Sequence, residues 1–171
     1  MTTELSYITF ITAAGWVGLL RSAAGLLRST LPLDSAEDAY HALGMEAGEA
    51  ALASHRFEDM ARRLELYFAG KRVAFADGLD LFGATGFQRR VWGITRLIPY
   101  GETRSYAWVV RRVGQPKALR AAGQALARNP LPVIIPCHRV IASGGGLGGY
   151  SGGIGMKRAL LDLEAKGVSS P

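Results

Sequence analysis

The chain has 171 residues, 49% of them hydrophobic and 20% charged, a composition typical of a soluble globular protein. No run approaches the roughly 20 apolar residues that cross a bilayer, and the first ten residues lack the pattern of a secretory signal peptide. The single cysteine, Cys137, excludes an internal disulfide, so the fold does not depend on an oxidising compartment. We therefore expect a cytoplasmic protein.

The net charge of +6 is divided unequally along the chain. Residues 1–83 hold 7 Lys/Arg against 11 Asp/Glu, a net of −4, whereas residues 84–171 hold 13 against 3, a net of +10. Between positions 84 and 155 the only acidic residue is Glu102. A half so poor in acid suits a polyanionic partner such as DNA, although a solvated basic surface is the alternative. We expect one domain over 1–83, linker included, and a second over 84–171.

The first half predicts a small antiparallel sheet followed by helices. A β-hairpin is expected from two runs rich in β-branched and aromatic residues, at 5–11 and 16–20, with a third strand at 26–31. Asp34 and Ser35 are suitable helix caps before an alanine-rich helix to about residue 53. A second helix is expected over 56–69, with Met60, Leu64, Tyr67 and Phe68 as its apolar side. Residues 71–83 are typical of a linker.

The second half predicts short helices with clear boundaries. Thr85 caps a helix through residue 97, Ser105 caps a second that Gly114 closes, and Pro116 opens a third to about residue 127. The second and third helices match a helix-turn-helix. A last helix is expected from about 156 to 166. The fold class is therefore α+β, a small N-terminal α/β domain with an antiparallel sheet before a helical C-terminal domain containing a helix-turn-helix.

Cys137 lies in an apolar segment, 129–142, that three prolines keep from forming a regular helix. We expect an extended, rigid segment that delivers the cysteine. The glycine-rich stretch that follows, 144–155, contains G-x-G-x-x-G without a surrounding βαβ unit, so we interpret it as tight turns and close backbone approach beside the reactive site.

Cys137 is the candidate nucleophile, although a lone cysteine in an apolar segment is more often inert. His138 can accept its proton, and because neighbours in an extended segment point opposite ways it would act through a bridging water. Glu164, on the last helix, could hold the histidine N–H, or could be a solvated surface carboxylate. The spacing does not show whether the three meet. Histidines and the thiol lack metal-ligand spacing, so no metal site is expected.

The third helix carries small side chains and one long arginine, Arg120. Small residues allow either close helix packing or close approach to a nucleic-acid groove, where Arg120 could enter the base stack. Tyr106, at the start of the preceding helix, could stack on a base or donate its hydroxyl. The DNA-binding candidates are Tyr106, Arg120, Ala121, Gly123 and Arg128.

Residues 135–140, Ile-Pro-Cys-His-Arg-Val, resemble the signature of the O⁶-alkylguanine-DNA alkyltransferases, also called methylated-DNA–protein-cysteine methyltransferases. The likeness continues through positions 87–92, 98–106, 116–117, 120, 129–130, 148–152 and 157. It covers nearly all of residues 84–167. Residues 21–60 resemble nothing that we can place, and the chain lacks the cysteines with which some members bind zinc.

The resemblance implies repair by direct reversal: a methyl or other alkyl group moves irreversibly from O⁶ of guanine in double-stranded DNA to Cys137. O⁴ of thymine is a further candidate lesion, and no cofactor is implied. It implies a monomer that reacts once and flips the base out from the minor groove while Arg120 fills the stack. His138 would take the thiol proton through a water, Glu164 would orient His138, Tyr106 would donate to the leaving guanine and Asn129 would brace the cysteine turn. The pocket would be lined by Tyr150, Ser151, Gly152 and Lys157.

Two other functions remain open at this point. A protein of this type could bind alkylated DNA without repairing it, or the Cys-His-Glu set could belong to a hydrolase.

Overall fold

The computed structural model describes residues 4–169, which divide into two compact units within Met1–Leu81 and Phe82–Pro171. The division falls two residues before the boundary expected from the charge pattern. Residues 1–3 and 170–171, the outer ends of the two expected domains, lie outside the described residues.

The first unit is built on a four-stranded sheet in the order β3-β2-β1-β4. Strands β1 (Ser6–Thr12) and β2 (Gly15–Arg21) form the predicted antiparallel hairpin, and β3 (Leu26–Ser29) pairs with β2. Side chains of β2 supply much of the core, because Leu19 and Leu20 are fully buried.

The long alanine-rich helix predicted up to residue 53 is wrong. Ser35 does cap a helix, α1 (Ala36–Ala42), by accepting a hydrogen bond from the Asp38 amide. The helix stops because Gly44 has φ of 92°, a left-handed conformation that glycine adopts without strain. A 3₁₀ helix (Met45–Glu49) and the short strand β4 (Ala51–Leu52) follow, and β4 runs parallel to β1. Alanine composition favours a helix, but pairing at the sheet edge decides this segment's structure.

Helix α2 (Glu58–Phe68) confirms the second predicted helix. Its predicted apolar side is buried throughout: Met60, Leu64, Tyr67 and Phe68 are all 5% exposed or less. Residues 71–83 form no helix and only one isolated bridge, in which the Leu26 amide donates to Gly78 and the Asp80 amide donates to Leu26. The expected linker therefore lies against an edge of the sheet.

Four helices form the framework of the second unit: α3 (Gly86–Thr95), α4 (Tyr106–Val113), α5 (Leu119–Ala127) and α6 (Ile154–Ser169). Thr85 and Ser105 cap α3 and α4 as predicted. Helix α5 begins three residues later than predicted, because Pro116 lies in a turn that the Ala118 amide closes onto the Gln115 carbonyl. Within residues 4–169 no helix is long and apolar enough to cross a membrane.

The segment from 129 to 142 is folded into turns and is not extended as predicted. The Ile135 amide donates to Leu131, and Val133 between them has φ of 73°. Cys137–Arg139 form a 3₁₀ turn that leads into β6 (Val140–Ile141), a parallel partner of β5 (Arg104–Ser105). Proline fixes φ but leaves ψ free, so the prolines exclude a long helix without requiring extended chain.

Candidate active site

Cys137 lies at the base of a cavity of about 730 Å³ in the second unit. Its side chain is 6% exposed, so the thiol is nearly enclosed but borders open space. Six of the residues singled out from the sequence line this cavity: Tyr106, Arg120, Gly123, Cys137, Tyr150 and Ser151. Gly149, from the glycine-rich stretch, and five residues that the sequence did not single out complete the wall: Leu119, Leu126, Ala127, Ala142 and Ser143.

Behind the cysteine, away from the cavity, three charged or polar side chains form a buried network. His138 Nε2 lies 2.5 Å from Glu164 Oε2, and neither side chain is more than 1% exposed. Arg139 donates from Nε to Glu164 Oε1 at 2.8 Å and from Nη2 to Oε2 at 3.1 Å. The Gly101 amide also donates to Glu164, so this carboxylate accepts from three residues.

This network sets the protonation state of the histidine. Burial alone would raise the pKa of Glu164, but hydrogen bonds from His138 and Arg139 and the positive charge of Arg139 lower it to about 2, so it is ionised at neutral pH. Burial lowers the pKa of His138, against the opposing effect of Glu164, so the imidazole is neutral. A neutral ring has one N–H. Here it lies on Nε2, where it donates a hydrogen bond to the Glu164 carboxylate. Nδ1 therefore carries the lone pair that can accept a proton.

The thiol itself is held in its protonated form at rest. Burial raises the pKa of Cys137, and the hydrogen bond from Asn129 Nδ2 to Sγ, at 2.9 Å, acts against that shift. The same Nδ2 donates to the Ile135 carbonyl, and Asn129 Oδ1 accepts from the Leu131 amide. Asn129 thus fixes the turn that presents the cysteine and also favours the thiolate.

The glycine-rich stretch approaches the site through Tyr106. Gly148 has φ of 72°, and a Cβ there would lie 2.9 Å from the Tyr106 ring and hydroxyl, so only glycine fits. The Tyr106 hydroxyl donates to the Gly149 carbonyl at 3.3 Å. Lys157 is fully buried and donates to Val140 and Gly149, which ties α6 to this stretch; burial lowers its pKa.

The structure does not bring every sequence candidate to the cavity. Ala121, Arg128 and Gly152 are exposed and do not line it, and Lys157 lies behind its wall. Arg139, two residues after the cysteine, is directed to Glu164 and to the Ile98 carbonyl. Its role in the network was missed, since nothing in the local sequence shows where an arginine side chain points.

Comparisons with known proteins identify the family in which this site occurs. The family model described as "6-O-methylguanine DNA methyltransferase, DNA binding domain" matches residues 86–166. Methylated-DNA–protein-cysteine methyltransferases of Mycobacterium leprae and Methanosarcina acetivorans are 52% and 48% identical to this chain over 108 residues, 63% of its length. The match spans 65% of the first relative, just under two thirds, and 69% of the second. The chain belongs to the methylated-DNA–protein-cysteine methyltransferase family.

Solved structures of this family resemble the chain over nearly its whole length. Mycobacterium tuberculosis O6-methylguanine methyltransferase gives a TM-score of 0.80 at 37% identity, covering 98% of this chain and 96% of that one. Mycobacterium tuberculosis OGT in complex with DNA gives 0.74 at 37% identity, covering 94% and 93%. The methylated-DNA–protein-cysteine methyltransferase resemblance and the α+β fold class predicted from the sequence are both confirmed.

Proposed function

We propose that this protein repairs DNA by moving an alkyl group from O⁶ of guanine to Cys137. The observation that carries the proposal is the position of the thiol: it lies between a cavity and a buried His138–Glu164 pair whose second ring nitrogen, Nδ1, can take its proton. Relatives named for this activity and a family structure in complex with DNA support it.

The bond changes follow from the protonation states. The thiol proton passes through a bridging water to His138 Nδ1, and Glu164 stabilises the imidazolium that results. The sulfur forms a bond to the alkyl carbon as the bond from that carbon to O⁶ breaks, and the electron pair remains on guanine. Tyr106 donates to the guanine ring as this charge develops. The product is a thioether on Cys137, and the proposed reaction has no step that restores the thiol, so each molecule reacts once.

Helix α5 is the proposed DNA-binding helix, because its accessible surface carries small side chains around Arg120. The target base cannot reach a nearly enclosed sulfur from inside the duplex, so it must leave the stack. Arg120 is exposed at the cavity wall, where it can occupy the vacated position. Ala121 and Gly123 allow close approach to the minor groove, and Arg128 contacts phosphate. Tyr150 and Ser151 line the pocket for the flipped base, and Lys157 supports its wall by holding the Gly149 carbonyl.

The test is a mass measurement. The protein is incubated with a duplex that contains O⁶-methylguanine, and the peptide that contains Cys137 is weighed. We expect a gain of one methyl group, absent from the Cys137→Ala variant. Binding of the damaged duplex with no gain in mass would instead indicate a lesion-binding protein, and turnover of a thioester substrate would indicate a hydrolase.

Three finer predictions belong to the same proposal. A duplex with O⁴-methylthymine tests whether the second lesion is repaired. Sedimentation of the free protein tests the expected monomer, and fractionation of cells tests the expected cytoplasmic location.

A further inference from the structure

Three side chains that the proposed reaction does not use form a row: Trp108 and Arg112 on α4, and Arg104 in β5, just before the helix. The Arg112 guanidinium lies 4.9 Å from the Trp108 ring centroid, and the Arg104 guanidinium lies 5.6 Å from it. The spacing of four residues places Trp108 and Arg112 on one side of α4, and Arg104 reaches the same ring from the residue before the helix cap. Ser105 fixes the first turn by accepting from the Trp108 amide at 3.0 Å. We call these three residues the arginine–tryptophan row.

The row faces away from the reactive cavity. Tyr106, which lines the cavity, precedes Trp108 by two residues, and two residues correspond to about 200° of rotation around a helix. Val109 and Val110 fill the buried side of α4. The row is therefore a separate surface, and Arg112 within it is exposed.

The two guanidinium groups are both positively charged and repel each other. Their contacts with the Trp108 ring offset only part of this repulsion. A cation–π contact at an exposed site contributes about 0.5–1 kcal/mol, and it orients the guanidinium plane. Glu102 lies 3.3 Å from Arg104 and is half exposed, whereas among residues 4–169 no carboxylate pairs with Arg112. An anion that bridges the two arginines would relieve the repulsion.

We propose that the arginine–tryptophan row binds the phosphate backbone of duplex DNA away from the flipped base. In helix-turn-helix proteins the first helix crosses the backbone while the second enters a groove, and α4 precedes α5 in this way. Oriented guanidinium groups donate to phosphate oxygens in pairs. The inference rests on the proposed function for the placement of DNA on α5, and it adds a contact surface outside the cavity. Glu102 then competes with phosphate for Arg104.

Binding of an undamaged duplex, measured at several salt concentrations, tests the row without any chemistry. Arg112→Gln should weaken binding about three- to tenfold at moderate salt and reduce the slope of log K against log salt by about 1. Trp108→Leu should weaken binding less, because both charges remain but lose their orientation. Glu102→Gln should tighten binding by releasing Arg104. Arg158→Gln removes an exposed arginine from α6 and is the matched control.

The outcomes separate the row from the proposed function. Unchanged affinity in Arg112→Gln, or an equal loss in Arg158→Gln, would overturn the row, and the first result would point to another occupant such as an acidic protein surface. Circular dichroism and thermal unfolding check that each variant is folded. If the row variants behave as expected while the wild type gains no methyl group at Cys137, the DNA surface stands and the repair reaction fails.

Discussion

The interior side of Cys137 and its cavity side differ in how their polar groups are paired. On the interior side, His138 and Glu164 are buried and hydrogen-bonded before any substrate arrives. On the cavity side, Arg120 and Ser151 are exposed and can gain partners when DNA binds. In the proposed reaction the interior groups therefore act on the sulfur whatever presents the alkyl group, while the cavity groups act on the duplex. Comparing a free O⁶-methylguanine base with a damaged duplex separates the two contributions.

The largest effect is expected for Glu164→Gln, on the interior side. The change removes the charge that holds His138 and leaves Arg139 buried without its carboxylate, which costs about 3–5 kcal/mol of stability. Loss of the proton acceptor's orientation should slow alkyl transfer by about 10³-fold, on free base and duplex alike. Rates and thermal unfolding are measured beside Asp162→Asn, an exposed carboxylate on the same helix. A loss confined to the duplex would contradict the comparison.

The same variant has a signature in acid. The folded-state pKa of Glu164 is about 2, below its ordinary value, so its stabilising contribution is full above about pH 4.5 and is lost as the pH falls toward 2. The difference in unfolding free energy between wild type and Glu164→Gln should shrink over this interval. A difference that stays constant there would show that the carboxylate is not held ionised by its neighbours.

Arg120→Ala, on the cavity side, should have the opposite pattern. Unstacking a base costs a few kcal/mol, and in this variant no side chain replaces the flipped base to offset that cost. Duplex repair should therefore slow by about 10²-fold. The free base needs no flipping, so its reaction should be unchanged. Equal losses on both substrates would remove the base-flipping role and leave Arg120 as part of the pocket wall.

The two sides also differ in how far the sequence predicts them. Caps are local, so Thr85 and Ser105 could be placed from a few neighbouring residues. The contact between His138 and Glu164 joins positions 26 residues apart and depends on where α6 packs, which no local pattern encodes. Family resemblance indicated both residues, but it did not indicate that Arg139 completes the network.

Backbone pairing accounts for the other errors. The strand β6, which follows the Cys137 turn, pairs with β5, and β4 pairs with β1, so both depend on hydrogen bonds to distant parts of the chain. Composition alone favoured an extended segment in the first case and a helix in the second. Turn closure by the Asn129 side chain and edge pairing of Ala51 outweighed those local preferences.

Asn129→Ala tests the interior side at the sulfur itself. The amide that donates to Sγ favours the thiolate, so its removal should raise the Cys137 pKa further and slow transfer about tenfold, the effect of losing a hydrogen bond worth 1.5 kcal/mol or so. The midpoint of the rate–pH profile should move upward by about 1 pH unit on both substrates.

Gln124→Ala, which removes an exposed amide on α5, is the control. An unchanged midpoint would leave Asn129 with only its role in the turn.

Arg128→Ala should give the smallest effect and sharpens the cavity side of the comparison. Arg128 is exposed at the end of α5 and does not line the cavity, so it can contact phosphate but not the flipped base. We expect duplex affinity to fall about threefold, with the salt slope reduced by about 1, equally for damaged and undamaged DNA. Reaction with the free base should be unchanged. A greater loss of affinity for damaged DNA would place Arg128 at the lesion. Arg128 would then count among the residues that contact the base and not among those that contact the backbone.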